Sequence, residues 1–196
     1  LSVISGKLRK VAELLILENF LAPEDCRDLI QCYEDNRPSL RQDTSDYWKN
    51  RVLYFGGISE QHRSTKLRIR ELVYQQMELL IKHFGYPDPI YPETVNLVSW
   101  PPNLEMVPHV DQDDGFEQRL FAVVGYLNDD YDGGEIYFPE IDESIKPKAG
   151  MLVAFSCGPR HRHGVKATRG NRLRYTFPTW FSERKEVVDR SLVDYR

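Results

Sequence analysis

Cysteine is scarce in this chain of 196 residues: there are three, Cys26, Cys32 and Cys157. An odd number excludes a fully paired disulfide framework, and no C-x-x-C pair offers a zinc site. Cys26 and Cys32 fall six apart in a predicted helix, a spacing that does not set them side by side. Three free thiols in a reducing compartment are expected, which favours a soluble, cytoplasmic protein. Long apolar runs are missing too. None approaches the ~20 residues of a membrane helix, so no membrane partner is expected. There is no large excess of charge of one sign: the formal net charge is −4. With no purely basic block, a nucleic-acid partner is not expected either. No internal repeat or low-complexity segment occurs. The chain begins at Leu1 rather than Met, so the lack of a leader says nothing about compartment.

What is present is ordinary globular usage, 41% hydrophobic and 29% charged, enough for one compact domain with a substantial core. Two helical stretches are predicted first. Pro23 stands at a plausible first helical position, with Glu24 and Asp25 in the first turn. Ser64 is expected to cap a longer helix in which Leu67, Leu72, Val73, Met77, Leu80, Ile81 and Phe84 repeat at helical spacing, stopping at Gly85. Between them, Arg37 to Asn50 is polar and reads as a loop. From Glu93 the pattern changes to short strands: Val95–Trp100, Met106–Asp111, Arg119–Leu127, Glu135–Phe138, Met151–Phe155, His163–Ala167 and Arg174–Phe181. The breaks hold turn residues, as in Asp132-Gly133-Gly134 and Lys148-Ala149-Gly150. Strands following helices imply a double-sheet, mainly β fold with helices packed outside one sheet. The expected organisation is one domain over 1–196, with helical support to about residue 92 and a β core over about 93–183.

Five histidines are available, and two of them stand in suggestive places. In His109-Val110-Asp111 an alternation of period two points the imidazole and the carboxylate to one face. That is two-thirds of the facial triad that leaves adjacent iron positions open. By itself an H-x-D arises often by chance. A second imidazole must come from elsewhere, and His161 and His163 both qualify. Beyond them, Arg172 or Arg174 could aim a guanidinium into the same cavity, where its planar fork suits the far carboxylate of a dicarboxylic acid. The other candidates have simpler readings. His62 and His83 read as surface or capping residues, and most of the Arg160–Arg174 cations as a solvated face. The acidic run Asp111-Gln112-Asp113-Asp114 lacks the glycine and terminal glutamate of a calcium loop. Gly133-Gly134 reads as a tight turn needing positive φ rather than a phosphate cradle.

The run Tyr126-Leu127-Asn128-Asp129-Asp130-Tyr131-Asp132-Gly133-Gly134-Glu135, followed by Ser144–Gly150 and His163-Gly164-Val165-Lys166-Ala167, resembles the prolyl hydroxylase branch of the 2-oxoglutarate/Fe(II) dioxygenases. Its closest look is to the catalytic domain of leprecan-type prolyl 3-hydroxylases, over about Trp100 to Phe181. The resemblance implies a double-stranded β-helix, a jelly roll of the cupin kind, with His109, Asp111 and His163 as iron ligands. It implies that Arg174, six residues before Trp180, and Tyr126 bind the 2-oxoglutarate side-chain carboxylate. Trp100 would lie near the co-substrate in place of a more usual tyrosine, and a Trp there cannot accept a hydrogen bond. Arg119 would contact substrate. Fe(II), 2-oxoglutarate and O2 are the implied cofactor and co-substrates, with ascorbate as a candidate reductant. The implied reaction releases succinate and carbon dioxide and hydroxylates an unactivated C–H bond, first of all in a prolyl residue of a peptide or protein. A free amino acid or small metabolite is the alternative substrate. A non-catalytic metal-binding β-barrel is a further alternative, disfavoured by the full His, Asp, His, Arg set. Arg37–Asn50 and Gln112–Gln118 have the polar composition of lids that close over substrate.

Overall fold

The computed structural model describes residues 8–11, 13–42, 48–113 and 115–196. A hairpin comes first, β1 (Leu8–Val11) and β2 (Leu14–Leu17), then helix α1 (Pro23–Asp35), β3 (Val52–Tyr54) and helix α2 (Arg63–Phe84). The strand-rich part follows with β4 (Tyr91–Trp100), β5 (Met106–His109), β6 (Arg119–Tyr126), β7 (Asp132–Gly133), β8 (Ile136–Phe138) and β9 (Glu143–Ile145). It continues through β10 (Leu152–Ser156), β11 (His163–Val165), β12 (Thr168–Arg169) and β13 (Arg174–Ser182), and α3 (Arg190–Val193) closes the chain. All seven predicted strands form, with shifts of a few residues at their ends.

A seven-stranded sheet in the order β1-β2-β10-β6-β13-β4-β3 faces a four-stranded sheet in the order β5-β11-β8-β9. The pairings are antiparallel. This is the double-stranded β-helix expected from the resemblance. Period-two alternation divides the major sheet between two cores. On its outer face Leu15, Leu17, Leu53, Leu97, Val123, Ala154 and Phe177 pack against α1 and α2. On its inner face Leu14, Ile16, Ala122, Tyr126, Val153 and Phe155 meet Ile136, Phe138 and Ile145 of the minor sheet. The helices supply matching stripes: Cys26, Leu29, Cys32 and Tyr33 are buried on α1, and Ile69, Leu72, Val73 and Leu80 on α2.

Two expectations for the first 92 residues need correction. Strands come before the helices, and β1, β2 and β3 all join the major sheet. Leu14–Leu17 is an unbroken apolar run buried on both faces, a pattern that carries neither the helical nor the alternating period. Ser64 is not the cap of α2. The helix starts at Arg63 after His62, without a side-chain cap, because a short 3-10 turn over Glu60–His62 leads directly into it. Pro23 does open α1, where Asp25 accepts a hydrogen bond from the Ala22 N–H. Gly85 does close α2 at φ 65°. Cys26, Cys32 and Cys157 are buried and free. Burial raises the Cys26 and Cys32 thiols to about 11 and about 12, which keeps both protonated. No helix among the described residues is long and apolar enough to cross a membrane. Residues 43–47 of the Arg37–Asn50 stretch and Asp114 of the Gln112–Gln118 loop lie outside the described residues.

Candidate metal and co-substrate site

His109 ends β5 and His163 opens β11, directly opposite each other in the antiparallel pair, with ring centroids 4.4 Å apart. Asp111 follows two residues after His109, past the end of the strand, and turns its carboxylate back between the rings. Its oxygens lie 3.6 Å from His109 Nε2 and 3.9 Å from His163 Nε2. The one potential ligand atom of each side chain lies within 4.8 Å of the others, the one such cluster among the described residues. Each imidazole is oriented from behind. His109 Nδ1 is 3.1 Å from the Val107 carbonyl and His163 Nδ1 is 3.0 Å from the His161 carbonyl. Those contacts hold the proton on Nδ1 and leave Nε2 to face the cluster.

Burial pulls the His163 imidazole down to about 4, so it is neutral at ordinary pH with its Nε2 lone pair available. Burial pushes the Asp111 carboxyl up, but the His109 and His163 side chains beside it bring it below the usual aspartate range. Two neutral-capable imidazoles and one carboxylate, gathered with nothing else between them to satisfy, are a donor set that fits Fe(II). His161 does not join them. It is turned away, with Nδ1 2.7 Å from Ser156 Oγ and Nε2 3.6 Å from Glu13.

The cluster opens on a cavity of about 580 Å³ between the sheets, within the ordinary range for a small-molecule site. Its far end holds Arg174, Tyr126 and Trp100, all buried. Arg174 pairs across the sheet with Trp100, and its guanidinium lies 5.0 Å from that ring. Trp100 donates from Nε1 to Thr176 Oγ1 at 3.2 Å, so it positions a hydroxyl rather than accepting a bond. Tyr126 stands opposite Thr176 in the β6–β13 register. Burial raises its phenol to about 12, so it stays a proton donor. Arg172 lies before β13 starts, exposed, 3.5 Å from Asp130. The two arginines that alternation could not separate thus occupy different places: one in the cavity, one on the surface.

Arg119 reaches the cavity, but its charge is already matched. Its Nε is 2.7 Å from Glu93, and its guanidinium lies 3.8 Å from the Phe116 ring and 4.9 Å from that of Trp180. The loop after Asp111 is tied to itself by Gln112, whose Nε2 donates to the Glu117 and Arg119 carbonyls. Sequence reasoning missed Thr176, Asn96, Thr94, Tyr54 and Trp48, which also line the cavity. Counting in twos from Trp100 and from Arg174 would have found Asn96, Thr94 and Thr176 on the inner face.

Residues 95–182 match the family model described as the 2OG-Fe(II) oxygenase superfamily. Among curated proteins, prolyl 3-hydroxylase 2 of Mus musculus is 46% identical over 70 residues, covering 33% of this chain and 10% of that protein. Prolyl 3-hydroxylase 1 of Homo sapiens is 38% identical over 101 residues, covering 46% of this chain and 14% of that protein. The chain therefore spans only a small fraction of the length of these relatives. Two solved structures share the fold. One is a viral collagen prolyl hydroxylase from Paramecium Bursaria Chlorella virus-1 in its 2OG complex: TM-score 0.65, 21% identity, covering 94% of this chain and 100% of that one. The other is a prolyl hydroxylase from Trichoplax adhaerens with a hypoxia inducible factor peptide fragment: TM-score 0.70, 20% identity, covering 89% and 86%. Residues 95–182 are thus similar in sequence to the 2OG-Fe(II) oxygenase superfamily, and the chain shares its fold with these two prolyl hydroxylase structures.

Proposed function

We propose that the chain is a hydroxylase dependent on Fe(II) and 2-oxoglutarate, acting on a prolyl residue in a peptide or protein. The observation that carries this reading is one cavity with His109, Asp111 and His163 on one wall and Arg174 with Tyr126 at its far end. The two imidazoles and the carboxylate would hold the metal. Bound there, iron and 2-oxoglutarate would supply, with dioxygen as oxidant, the chemistry that hydroxylates an unactivated C–H bond, one oxygen atom entering the product alcohol and the other the succinate formed as carbon dioxide leaves. Arg174 offers a planar fork for the two oxygens of a side-chain carboxylate, and the protonated Tyr126 hydroxyl donates to the same group. Thr176 already accepts from Trp100, which leaves its own proton for the co-substrate. Val124, Ile136, Phe155 and Val165 make the intervening wall apolar and exclude water from the reacting end. Ascorbate is assigned as the reductant that keeps the metal ferrous.

The chain is proposed to act as a single oxygenase domain, since β1 to β3 complete the sheet on which the cavity is built. A peptide rather than a free amino acid is favoured by the state of the cavity's cations. Arg119 is paired with Glu93, and Arg41 is hydrogen-bonded to the Tyr54 hydroxyl and lies 4.9 Å from its ring. A free carboxylate would have to displace one of these partners, whereas a neutral peptide group would not. The test is a screen of proline-containing peptides and free amino acids in parallel, scored by oxygen consumption and succinate release. Turnover of peptides above free proline is expected. Equal turnover of free proline would remove the peptide assignment, and the absence of 2-oxoglutarate-dependent oxygen uptake with any substrate would remove the enzymatic one.

A further inference from the structure

The imidazole of His161 stays out of the triad, but its backbone carbonyl serves it. That oxygen lies 3.0 Å from His163 Nδ1, keeps the proton there and turns Nε2 toward the cluster. The two triad imidazoles differ in how such a carbonyl is carried. The Val107 carbonyl behind His109 belongs to strand β5, which the pairing with β11 holds. The His161 carbonyl lies off the ladder, at the end of a single 3-10 turn over Pro159–His161. Two hydrogen bonds close that turn, from the His161 N–H to the Gly158 carbonyl at 3.0 Å and from the Arg162 N–H to the Pro159 carbonyl at 3.2 Å. One turn of this poorer geometry holds a peptide plane only loosely. The His161 side chain supplies the rest. It is 5% exposed, with Nδ1 2.7 Å from Ser156 Oγ at the end of β10 and Nε2 3.6 Å from Glu13. The rings of Phe138 and Phe155 lie near both imidazoles, with centroids 5.8 and 4.6 Å from His163 and 6.2 and 6.4 Å from His161.

Glu13 comes from the turn of the first hairpin. Ala154 of β10 pairs with Leu15 of β2, and continuing that register by two residues brings Glu13 level with Ser156. There its carboxylate accepts from Arg160 Nε and from a terminal guanidinium nitrogen, both at 2.8 Å. An exposed ion pair contributes little unless its geometry is bidentate, and this one is. The β1–β2 turn thus meets two successive residues of the turn behind His163. Resting on the reading of His109, Asp111 and His163 as the metal site, we propose that His161, seated on Ser156 and Glu13, is a positioning residue for that site. It fixes the carbonyl that sets the tautomer and direction of His163, and through them the affinity for metal. Neither His161 nor Glu13 lines the cavity, so neither touches metal, co-substrate or substrate. Glu13 also lies outside residues 95–182, which makes the first hairpin part of the support for a ligand in the matched region.

The test needs no turnover. Co(II) alone is titrated into apo protein and followed by its visible absorption, and heteronuclear NMR of the imidazole nitrogens reads the His163 tautomer. His161→Phe keeps a ring beside Phe138 and Phe155 and removes both nitrogens. Losing a group behind a metal ligand lowers affinity roughly 10–100-fold, and a carbonyl loosened but not removed belongs at the lower end. Co(II) binding about ten-fold weaker is therefore expected, with His163 divided between its two tautomers. Glu13→Gln, at the surface, should weaken binding about three-fold, and the double variant no more than His161→Phe alone, because both act through one link. Arg162→Gln is the control: Arg162 follows in the same stretch but faces Glu140 at 3.9 Å, and its loss should change affinity less than about two-fold. A His161→Phe protein with a lowered Tm but wild-type tautomer and affinity has lost packing alone, which overturns the proposal. Glu13→Gln with both readouts unchanged overturns it as well, and decides the matter if His161→Phe does not fold. Wild-type protein that binds no Co(II), or binds it equally well after Asp111→Ala, removes the metal-site reading itself.

Discussion

Removing the charge at Arg174 should cripple use of 2-oxoglutarate, and removing it at Arg172 should not. Arg174 is 4% exposed, inside the cavity with Tyr126 and Thr176, its guanidinium against Trp100. Arg172 has a side chain 69% exposed beside Asp130, where an ion pair is worth little. A charge-assisted pair lost from a desolvated site costs on the order of 2–5 kcal/mol. At 1.4 kcal/mol per decade, the lower end of that range is roughly a thirty-fold rise in KM for 2-oxoglutarate. Arg174→Met keeps much of the buried stem's volume and is preferable to Ala, which would leave a cavity beside Trp100. Initial rates of succinate release against 2-oxoglutarate concentration give KM. Binding can be read independently from tryptophan fluorescence, because Trp48, Trp100 and Trp180, the three tryptophans of the chain, all line the cavity. A folded Arg174→Met protein with wild-type KM, or an equal rise in Arg172→Met, would refute the assignment of the carboxylate anchor.

Three further outcomes are expected. Asp111→Ala should lose bound iron and all hydroxylation while keeping its circular dichroism spectrum; full activity at saturating iron would end the triad assignment. Gly164→Ala should lower Tm and iron affinity together, because its Cβ would stand 2.6 Å from the Tyr137 ring and 2.8 Å from the Met106 carbonyl, forcing β8 and β5 away from β11. The expected cost is about 1–3 kcal/mol, and an unchanged melting curve would contradict it. Asp25 is buried at the start of α1; desolvation raises its carboxyl, but hydrogen bonds from Arg68 and the Ala22 N–H bring it below the aspartate range. Its folded value is below its unfolded one, so its contribution is present above pH ~4 and lost as pH falls through the folded value. Asp25→Asn should therefore destabilise the protein at pH 7 and flatten the acid limb of its stability curve, measured by urea titration from pH 7 to 3.

Much of the β core was legible because short amphipathic strands announce themselves by alternation and by the turns that end them. The turn at Gly133-Gly134 is such a signal: both residues have positive φ, and a Cβ at Gly133 would meet the Ala167 carbonyl at 2.4 Å. The pairing of His109 with Asp111 was legible for the same local reason, since two residues separated by one are held to one side of an extended chain. Local pattern could not show that Leu14–Leu17 is a strand, because burial on both faces erases the alternation that marks one. Nor could it choose between His161 and His163, or between Arg172 and Arg174, since each pair shares a parity and differs only in what the fold places opposite. Register against β5 sets His163 beside His109, while the preceding turn sends His161 toward Ser156 and Glu13. The start of β13 at Arg174, opposite Trp100, puts one guanidinium inside the sheet sandwich and leaves the other in solvent. Sequence determines which side of a strand a residue takes, but contacts between distant strands decide which residues meet, because those contacts depend on register and on where each strand begins.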